Sequence, residues 1–392
     1  MGWQELEARY YHQAFRRFPV TLVRGEGSRL WDDEGNSYLD FTAGIAVTTL
    51  GHGDSELCEA VANQVRSLAH VSNLFYTTPQ LEVAQRLVDN SELDRVFFVN
   101  SGAEASETCL KIARKWGRTQ RDGAYEVITA EHGFHGRTIA TTAATGTPAY
   151  QEPFAPMPSG FTHVPLNDLD AVDDSISSIT AAVMVELVQG ESGVRMADAD
   201  YVQGLRRVCD EHGVLLIFDE VQTGIGRTGR LFGYENFGVT PDLIGLAKGL
   251  GGGLPIGAVL SSEAVSVLAP GEHGSTFGGS PVACAAARVV LDRVMAPGFL
   301  DEVQAKGEHV RARLRDSAEQ GAPISGVRGL GLMIGFDLES EDAATEVVER
   351  ARSHGLLLIK AGPETIRIVP PLTISVDELN EGLDALDAAR GA

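Results

Sequence analysis

An acidic residue and a lysine each follow a short apolar run in the middle of the chain. Asp219 comes directly after VLLIF, and Lys248 comes directly after LIGLA. In an open α/β sheet, ligands bind beyond the carboxyl ends of the strands. A lysine there can form a Schiff base with pyridoxal phosphate, and an acid on a neighbouring strand can pair with the pyridinium nitrogen. The two residues therefore predict a pyridoxal phosphate site.

Lysine is scarce, which narrows the choice of a covalent residue. The chain has five lysines, which are Lys111, Lys115, Lys248, Lys306 and Lys360. Lys111, Lys115 and Lys306 occupy polar positions of helical-looking segments, which is typical of surface residues. Lys360 follows the run LLLI and is the only rival to Lys248.

The segment NSGAE, residues 100–104, joins a predicted strand to a predicted helix. Ser101 with Glu104 three positions later is a capping-box pattern. A helix start offers free N–H groups and the positive end of the helix dipole, which suit a phosphate. The alternative is a well-capped helix with no ligand, but the position after a buried strand, with a cofactor lysine elsewhere in the chain, favours the phosphate.

The segment EHGFHGRT, residues 131–138, follows another predicted strand. Its two histidines form HxxH, which is weak evidence for zinc without further Cys or His residues, and we expect no metal. Phe134 could stack on a cofactor ring. Arg137 could bind a substrate carboxylate in fork geometry, although a surface arginine is equally compatible with the motif.

Other polar residues leave alternatives open. Glu186 and Glu191 could do acid–base work or cap turns. Arg367, at the end of a predicted strand, could face the site or the solvent. The Gly-rich segment 275–279 could bind phosphate or serve as a linker between domains. The segment GIGRTG, residues 224–229, matches GxGxxG, but the RLFGYENFG that follows is too rich in glycine and aromatics for the helix that a dinucleotide site needs.

The elements that must position these residues alternate between apolar strands and helices. Strand-like runs occur at 96–100, 127–130, 181–186, 214–218 and 257–261, with helical patterns between several of them, for example at 199–212. This alternation predicts a parallel sheet buried on both faces. Residues 1–50 predict hairpins, and the chain after 281 predicts a separate α+β part with a small antiparallel sheet.

Composition limits the class of protein. The chain has 392 residues, 43% apolar residues and a net charge of −22, which favours two domains and opposes binding to nucleic acid or to an anionic membrane. Its four cysteines are widely spaced, as expected of free thiols in a reduced compartment. The first residues are charged and aromatic, unlike a signal peptide, and no apolar run reaches membrane-spanning length. We therefore expect a cytoplasmic protein.

Ordered motifs over nearly the whole chain resemble the class III pyridoxal-phosphate-dependent aminotransferases. They run from YLDFTAGIAV and SNLFYTTPQ through NSGAEASE, FHGRT, DEVQTGIGRTG, LAKGLGGGLPIGA and GSTFGG to RIVPPL. The resemblance implies the α/β type I fold of these transferases, with a mainly parallel sheet covered by helices and a smaller α+β domain. We expect the large domain at 52–280 and the small domain at 1–51 and 281–392.

The resemblance also implies roles for single residues around the cofactor. Lys248 forms the Schiff base, Asp219 holds the pyridinium nitrogen, Gln222 lies on the ring-hydroxyl side and Phe134 stacks on the ring. The phosphate-binding positions are Ser101, Gly102 and Ala103, with Thr276 reaching in from the other subunit of a homodimer.

For substrates, the resemblance assigns Arg137 and Ser275 to binding. Glu191 corresponds to a gate that pairs with Arg367 and swings aside for the second substrate. Two segments depart from the family pattern, GHGDSEL and the Ser280 of FGGSPVACAA, and neither touches a proposed catalytic group.

The implied activity moves the δ-amino group of N2-acetyl-L-ornithine to 2-oxoglutarate, giving N-acetyl-L-glutamate 5-semialdehyde and L-glutamate in arginine biosynthesis. A related ω-amine donor, namely N-succinylornithine, ornithine or a carrier-linked lysine, is the first alternative. Another pyridoxal phosphate reaction on the same fold, such as a decarboxylase or aminomutase, is the second, and a non-enzymatic nucleotide-binding module based on GIGRTG is the third.

Overall fold

The computed structural model describes residues 2–391. Helices occur along the whole of this range. The α-helices are, in chain order, α1 Trp3–Tyr10, α2 Ala43–Ala46, α3 Ser55–Ser67, α4 Thr78–Asp89, α5 Gly102–Gln120, α6 Ile139–Ala144, α7 Pro148–Gln151, α8 Leu169–Ser175, α9 Ala199–His212, α10 Pro281–Val294, α11 Phe299–Glu319, α12 Glu341–Ser353 and α13 Val376–Arg390. Short 3₁₀ helices cover Ser72–Leu74, Glu152–Phe154, Gly233–Asn236, Lys248–Gly251 and Glu263–Val265.

The strands lie between these helices. They are β1 Leu22–Glu26, β2 Arg29–Asp32, β3 Ser37–Asp40, β4 Arg95–Val99, β5 Glu126–Ala130, β6 Phe161–Val164, β7 Thr180–Val185, β8 Val188–Gln189, β9 Arg195–Met196, β10 Leu215–Asp219, β11 Leu243–Leu246, β12 Gly257–Ser261, β13 Ser325–Leu330, β14 Met333–Asp337, β15 Leu356–Leu357, β16 Ile359–Lys360 and β17 Thr365–Ile368.

The largest sheet has seven strands in the order β4-β12-β11-β10-β7-β5-β6. Strands β11, β10, β7, β5 and β6 pair in parallel, whereas β12 runs antiparallel to both of its neighbours. The predicted mainly parallel sheet is therefore confirmed. The antiparallel β12 leaves the carboxyl end of β4 at the same edge as those of the parallel strands.

Successive residues of β10 show why its sequence is apolar throughout. Leu216 and Phe218 belong to one buried apolar cluster, and Leu215 and Ile217 belong to another. Since side chains alternate across a strand, the two clusters lie on opposite faces of the sheet. Helices therefore cover both faces, with α5 on one side and α9 on the other.

The remaining sheets are smaller. An antiparallel sheet, β13-β14-β17-β16, matches the prediction for the C-terminal part. The run LLLIKAG divides into two strands, because β15 pairs in parallel with β3 of the N-terminal hairpins while β16 pairs with β17. The N-terminal strands thus join the C-terminal part of the chain.

The helix α10 connects the two parts. Its buried residues pack within the larger apolar cluster, whereas those of α11 to α13 form a second cluster with β14 and β17. The division into 52–280 and 1–51 plus 281–392 remains a prediction.

Candidate active site

A pocket of about 440 Å³ opens at the carboxyl edge of the large sheet. Segments that follow five different strands supply part of its lining, including Asn100, Phe134, Glu186, Asp219 and Lys248. The structure thus brings together the lysine, the acid, the helix start and the aromatic residue that the sequence predicts at one site.

Lys248 lies directly beyond β11 and begins a 3₁₀ turn. Its φ of +38° is in the left-handed region, which costs energy for a residue other than glycine. Burial lowers the pKa of its amine to about 8, and the positive charge of Arg367 acts in the same direction, against the carboxylates of Glu191, Glu186 and Asp219. A fraction of the amine is therefore neutral, and nucleophilic, near neutral pH.

Asp219 ends β10 and is held from two sides. Its Oδ1 accepts a hydrogen bond from the N–H of Val221 at 3.0 Å, and its Oδ2 lies 2.8 Å from Nδ1 of His135. Ser106 Oγ is farther from the same carboxylate, at 3.4 Å. The carboxylate has a fixed orientation beside the pocket.

His135 is a site residue that the sequence does not indicate, since the HxxH pattern suggests only a weak metal motif. The residue is 2% exposed. Burial alone would lower its pKa, but the hydrogen bond and negative charge of Asp219, together with Glu186, raise the pKa above its ordinary value. His135 is therefore a buried partner of the Asp219 carboxylate, which favours the protonated form of its ring. Within residues 2–391, no group of His, Cys, Asp or Glu side chains is arranged to hold a metal ion.

Glu186 follows β7, and its Oε2 accepts the N–H of Phe134 at 2.8 Å. Burial raises the pKa of this carboxyl well above its ordinary value, and Asp219 adds to the effect, while His135 opposes it. The sequence leaves acid–base work and turn capping open as roles for Glu186. In the structure its carboxylate accepts a backbone hydrogen bond and so orients the Phe134 backbone.

The start of α5 forms one end of the pocket, where Ser101, Gly102 and Ala103 line the wall. Ser101 Oγ accepts the N–H of Glu104 at 3.2 Å, as the capping pattern predicts. In a capping box, Glu104 would also accept the N–H of Ser101. Here Glu104 Oε2 instead accepts the N–H of Asn100, one residue earlier, at 2.7 Å. The first amides of α5 and the helix dipole are available to an anion in the pocket.

Arg137 is held by aromatic rings. Its guanidinium carbon lies 4.0 Å from the ring centroid of Tyr150 and 5.3 Å from that of Phe134, whose ring meets Tyr150 edge-on. The side chain is exposed and lines the pocket. Cation–π contacts orient the charge without neutralising it. Tyr150 was not identified from the sequence, since only the fold brings α7 to this strand end.

Arg367 is buried beside the pocket and does not face the solvent, although its side chain is not part of the pocket wall. It is 1% exposed, and its Nη1 donates to Glu191 Oε1 and to the carbonyl of Gly190, both at 2.7 Å. Gln222, which lines the pocket, accepts from the same nitrogen at 3.2 Å. Burial would raise the pKa of Glu191, but Arg367 and Lys248 hold it below its ordinary value. The expected Glu191–Arg367 ion pair is therefore present beside the pocket.

Ser275 and Thr276 are not part of the pocket wall. Ser275 Oγ accepts the side-chain amide of Asn100 at 3.0 Å, so this loop touches the pocket only indirectly. Thr276 is exposed. Its predicted contribution to the site of another subunit stays a prediction.

The segment GIGRTG forms turns, and no helix opens at Gly229. Arg227, within it, is buried and donates to the carbonyls of Leu332 and Pro370. The segment joins the two parts of the chain and lacks the geometry of a dinucleotide fingerprint.

Comparison with known proteins gives consistent matches over nearly the whole chain. The sequence model of the family described as "Aminotransferase class-III" matches residues 10–389. A relative named acetylornithine aminotransferase from Gloeobacter violaceus is 50% identical, covering 99% of this chain and 97% of that protein. Another of the same name, from Caldanaerobacter subterraneus, is 47% identical, with 97% of each chain covered.

Solved structures agree with this result. An ornithine aminotransferase from Toxoplasma gondii superposes with a TM-score of 0.94 at 32% identity, covering 99% of this chain and 93% of that one. An N-acetylornithine aminotransferase from Stenotrophomonas maltophilia superposes with a TM-score of 0.84 at 37% identity, covering 98% and 97%. The pocket, the fold and these matches together show that the chain belongs to the class III aminotransferases.

Proposed function

We propose that this enzyme transfers the δ-amino group of N2-acetyl-L-ornithine to 2-oxoglutarate in arginine biosynthesis. The products are N-acetyl-L-glutamate 5-semialdehyde and L-glutamate. The observation that carries the proposal is the convergence of Lys248, Asp219 and the α5 start on one pocket, in a chain 47–50% identical to two relatives named for this activity.

The pocket fits pyridoxal phosphate, the cofactor of this family. It presents an amine of lowered pKa, an oriented carboxylate, an aromatic ring and free helix amides. The bound cofactor supplies an aldehyde for the amine and a ring that draws electrons from the substrate carbon. The residues that would hold it are Lys248 covalently, Asp219 and Gln222 at the ring edge, Phe134 on its face, and Ser101, Gly102 and Ala103 at the phosphate.

Each protein group then has a defined task. Lys248 Nζ would take a proton from the substrate carbon that carries the amine and deliver it to the cofactor, and in the second half-reaction it would move a proton in the opposite direction, to the carbon of the keto acid. Asp219, oriented by His135, would pair with the ring nitrogen of the bound cofactor. Glu186 keeps the Phe134 backbone in place, and the pocket walls exclude water from the reacting carbon.

Arg137 is the proposed partner of the substrate carboxylate, with Ser275 as a further binding position. Glu191 neutralises Arg367 while the first substrate reacts. When it moves aside, Arg367 is free to bind a carboxylate of 2-oxoglutarate. Both arginines lie at or beside the pocket, as two successive carboxylate substrates require.

Replacing Arg137 with lysine should raise the KM for N-acetylornithine about tenfold, because lysine lacks both the planar fork and the stacking surface. Steady-state kinetics with cofactor absorption as a check would measure this. Arg24→Lys is the matched control, since Arg24 also lies 4.0 Å over an aromatic ring, that of Trp31, outside the pocket. Equal Michaelis constants in Arg137→Lys and wild type would exclude the assignment.

The lowered pKa of Lys248 predicts how the apoenzyme takes up its cofactor. Only the neutral amine attacks an aldehyde, so the rate should rise with pH through a midpoint near 8 and then level off. Because Glu191 raises the pKa of Lys248, Glu191→Gln should move the midpoint to lower pH. Stopped-flow absorbance would record both curves, and a wild-type midpoint near that of an ordinary lysine would contradict the prediction.

We also propose a homodimer with shared active sites. Leu74, Phe75 and Tyr76 are exposed, Tyr76 to 94%, as is Phe277 in the loop that contains Thr276. Adjacent exposed apolar residues are typical of an interface. Asn73 donates to the carbonyl of Ser275 at 2.9 Å, so these two surface segments adjoin each other.

The proposed location is the cytoplasm. The four cysteines are free, which suits a reducing compartment. Within residues 2–391, no helix combines the length and apolar character needed to cross a bilayer.

The direct test is an assay of N-acetylornithine, N-succinylornithine and ornithine with 2-oxoglutarate, comparing kcat/KM. The proposed function requires the highest value for N-acetylornithine. A higher value for ornithine or N-succinylornithine would instead assign the related ω-amine activity. Turnover without any amino acceptor would indicate a different reaction on the same fold.

A further inference from the structure

The residue Glu191 is carried by a tight turn, residues 190–194, which connects β8 with β9. The turn has an unusual backbone. Gly193 has a φ of +107° and Val194 a φ of +50°, a conformation that strains a β-branched residue. Strain of this kind persists only where surrounding contacts hold the backbone.

Two arginines of the small C-terminal sheet hold the two ends of this turn. Arg367 Nη1 donates to the carbonyl of Gly190 at 2.7 Å, and Arg328 Nε donates to the carbonyl of Gly193 at 2.8 Å. Arg328 Nη2 also donates to the Gly193 carbonyl. The turn is therefore fixed at both ends by the same sheet.

The register of the sheet explains this arrangement. Arg328 of β13 lies opposite Gly335 of β14, and Gly335 lies opposite Arg367 of β17. A Cβ atom at Gly335 would come within 2.7 Å of the Val194 side chain. Because Gly335 has no side chain, space remains between Arg328 and Arg367, and the Val194 side chain fills that space.

Arg328 is itself held in place before it reaches the turn. Its Nη1 and Nη2 donate to the two carboxylate oxygens of Asp337 at 2.7 and 2.8 Å. The Thr365 hydroxyl accepts a hydrogen bond from Arg328 Nη2 and donates one to Asp337. Burial would raise the pKa of Asp337, but the hydrogen bonds of Arg328 and Thr365 lower it. A bidentate pair fixes the guanidinium plane as well as its position.

From these contacts we propose that Arg328 is a positioning residue for the Glu191 gate. By fixing the turn backbone, it confines gating to the Glu191 side chain, which alternates between covering Arg367 and leaving it free. This inference rests on the proposed roles of Glu191 and Arg367. A loosened turn would leave Arg367 uncovered more of the time, so carboxylate ligands would compete better for it.

Glutarate is a suitable probe, because it has the two carboxylates of 2-oxoglutarate and no carbonyl to react. Its Kd would be measured by calorimetry on holoenzyme for wild type, Arg328→Gln, Glu191→Gln and the double variant. We expect Glu191→Gln to tighten glutarate about tenfold by removing the competing carboxylate. Arg328→Gln alone should tighten glutarate binding about threefold. The double variant should bind glutarate almost as Glu191→Gln does, since Arg328 acts through the contact that Glu191 makes with Arg367.

An equal effect of Arg328→Gln in both backgrounds, or none in either, would overturn the inference, since a general structural role does not depend on Glu191. Arg311→Gln is the matched control, because Arg311 also donates to a backbone carbonyl, that of Gly331, away from the turn. It should leave the glutarate Kd unchanged. If Arg328→Gln fails to fold, Arg328→Lys serves in the same cycle, with a smaller shift in the same direction.

The result is separable from the proposed function. Glutarate binding requires no turnover and no particular amino donor. Failure of N-acetylornithine as a donor would reject the proposed substrate but leave the coupling between Arg328 and Glu191 measurable. Loss of that coupling in an enzyme that uses N-acetylornithine would reject only the role of Arg328.

Discussion

Replacing Lys248 with alanine is expected to reduce kcat by more than 10⁴-fold in both half-reactions. A positioned proton-transfer group contributes about 10²–10⁴-fold, and this residue also provides the covalent attachment of the cofactor. Both tasks depend on one amine, whose position beyond β11 and lowered pKa suit it to them. Single-turnover kinetics with each substrate, on protein loaded with cofactor, would measure the loss.

Lys360→Ala is the matched control for this experiment. Lys360 also follows an apolar run, but its Nζ donates to Thr345 at 2.8 Å and to Glu341 at 3.3 Å, and it does not line the pocket. The variant should retain wild-type turnover. Borohydride reduction followed by peptide mapping should label Lys248 in wild type; a label on Lys360, or near-normal turnover of Lys248→Ala, would contradict the assignment.

Replacing Asp219 with asparagine is expected to lower kcat by about 10²–10³-fold, the range for loss of one preoriented electrostatic group. The amide has the same shape but no charge, so it no longer favours a protonated ring nitrogen. It also removes the charge that raises the pKa of His135. With the contribution of Asp219 removed, burial should lower the pKa of His135, and the cofactor absorption spectrum should change its pH dependence.

The control for Asp219→Asn is Ser106→Ala, which removes only the 3.4 Å contact to the carboxylate. Its effect on kcat should be less than about threefold, since a contact of this length is a weak hydrogen bond. Thermal denaturation of both variants separates lost catalysis from lost stability. If Asp219→Asn retains wild-type kcat and spectrum, the carboxylate does not act on the ring.

Much of the fold could be predicted from the sequence because the buried strands are continuous apolar runs. VLLIF and LIGLA correspond closely to β10 and β11, and the predicted helix at 199–212 coincides with α9. The polar residues that follow these runs lie at one sheet edge as a consequence of parallel pairing. Lys248, Asp219 and the α5 start were therefore accessible to sequence reasoning.

Other features depend on contacts between distant segments and leave no local pattern. The pairing of His135 with Asp219 joins a residue that follows β5 to the last residue of β10, and neither spacing nor residue type indicates it. The same holds for Tyr150 beneath Arg137 and for Arg367, whose orientation follows from the register of β17 with β14. The segment GHGDSEL, which departs from the family pattern, provides a helix cap. Its Asp54 caps α3 by accepting the N–H of Leu57.

The lowered pKa of Lys248 has a chemical consequence for a newly made chain. At pH 7, an amine with a pKa near 8 is neutral in roughly one molecule in ten, against roughly one in several thousand for an ordinary lysine. The same neutral form of the amine can attack the carbonyl carbon of sugars and small metabolic aldehydes. We therefore expect the apoenzyme to be modified by such aldehydes at Lys248 faster than the cofactor-loaded enzyme, in which this amine is already engaged.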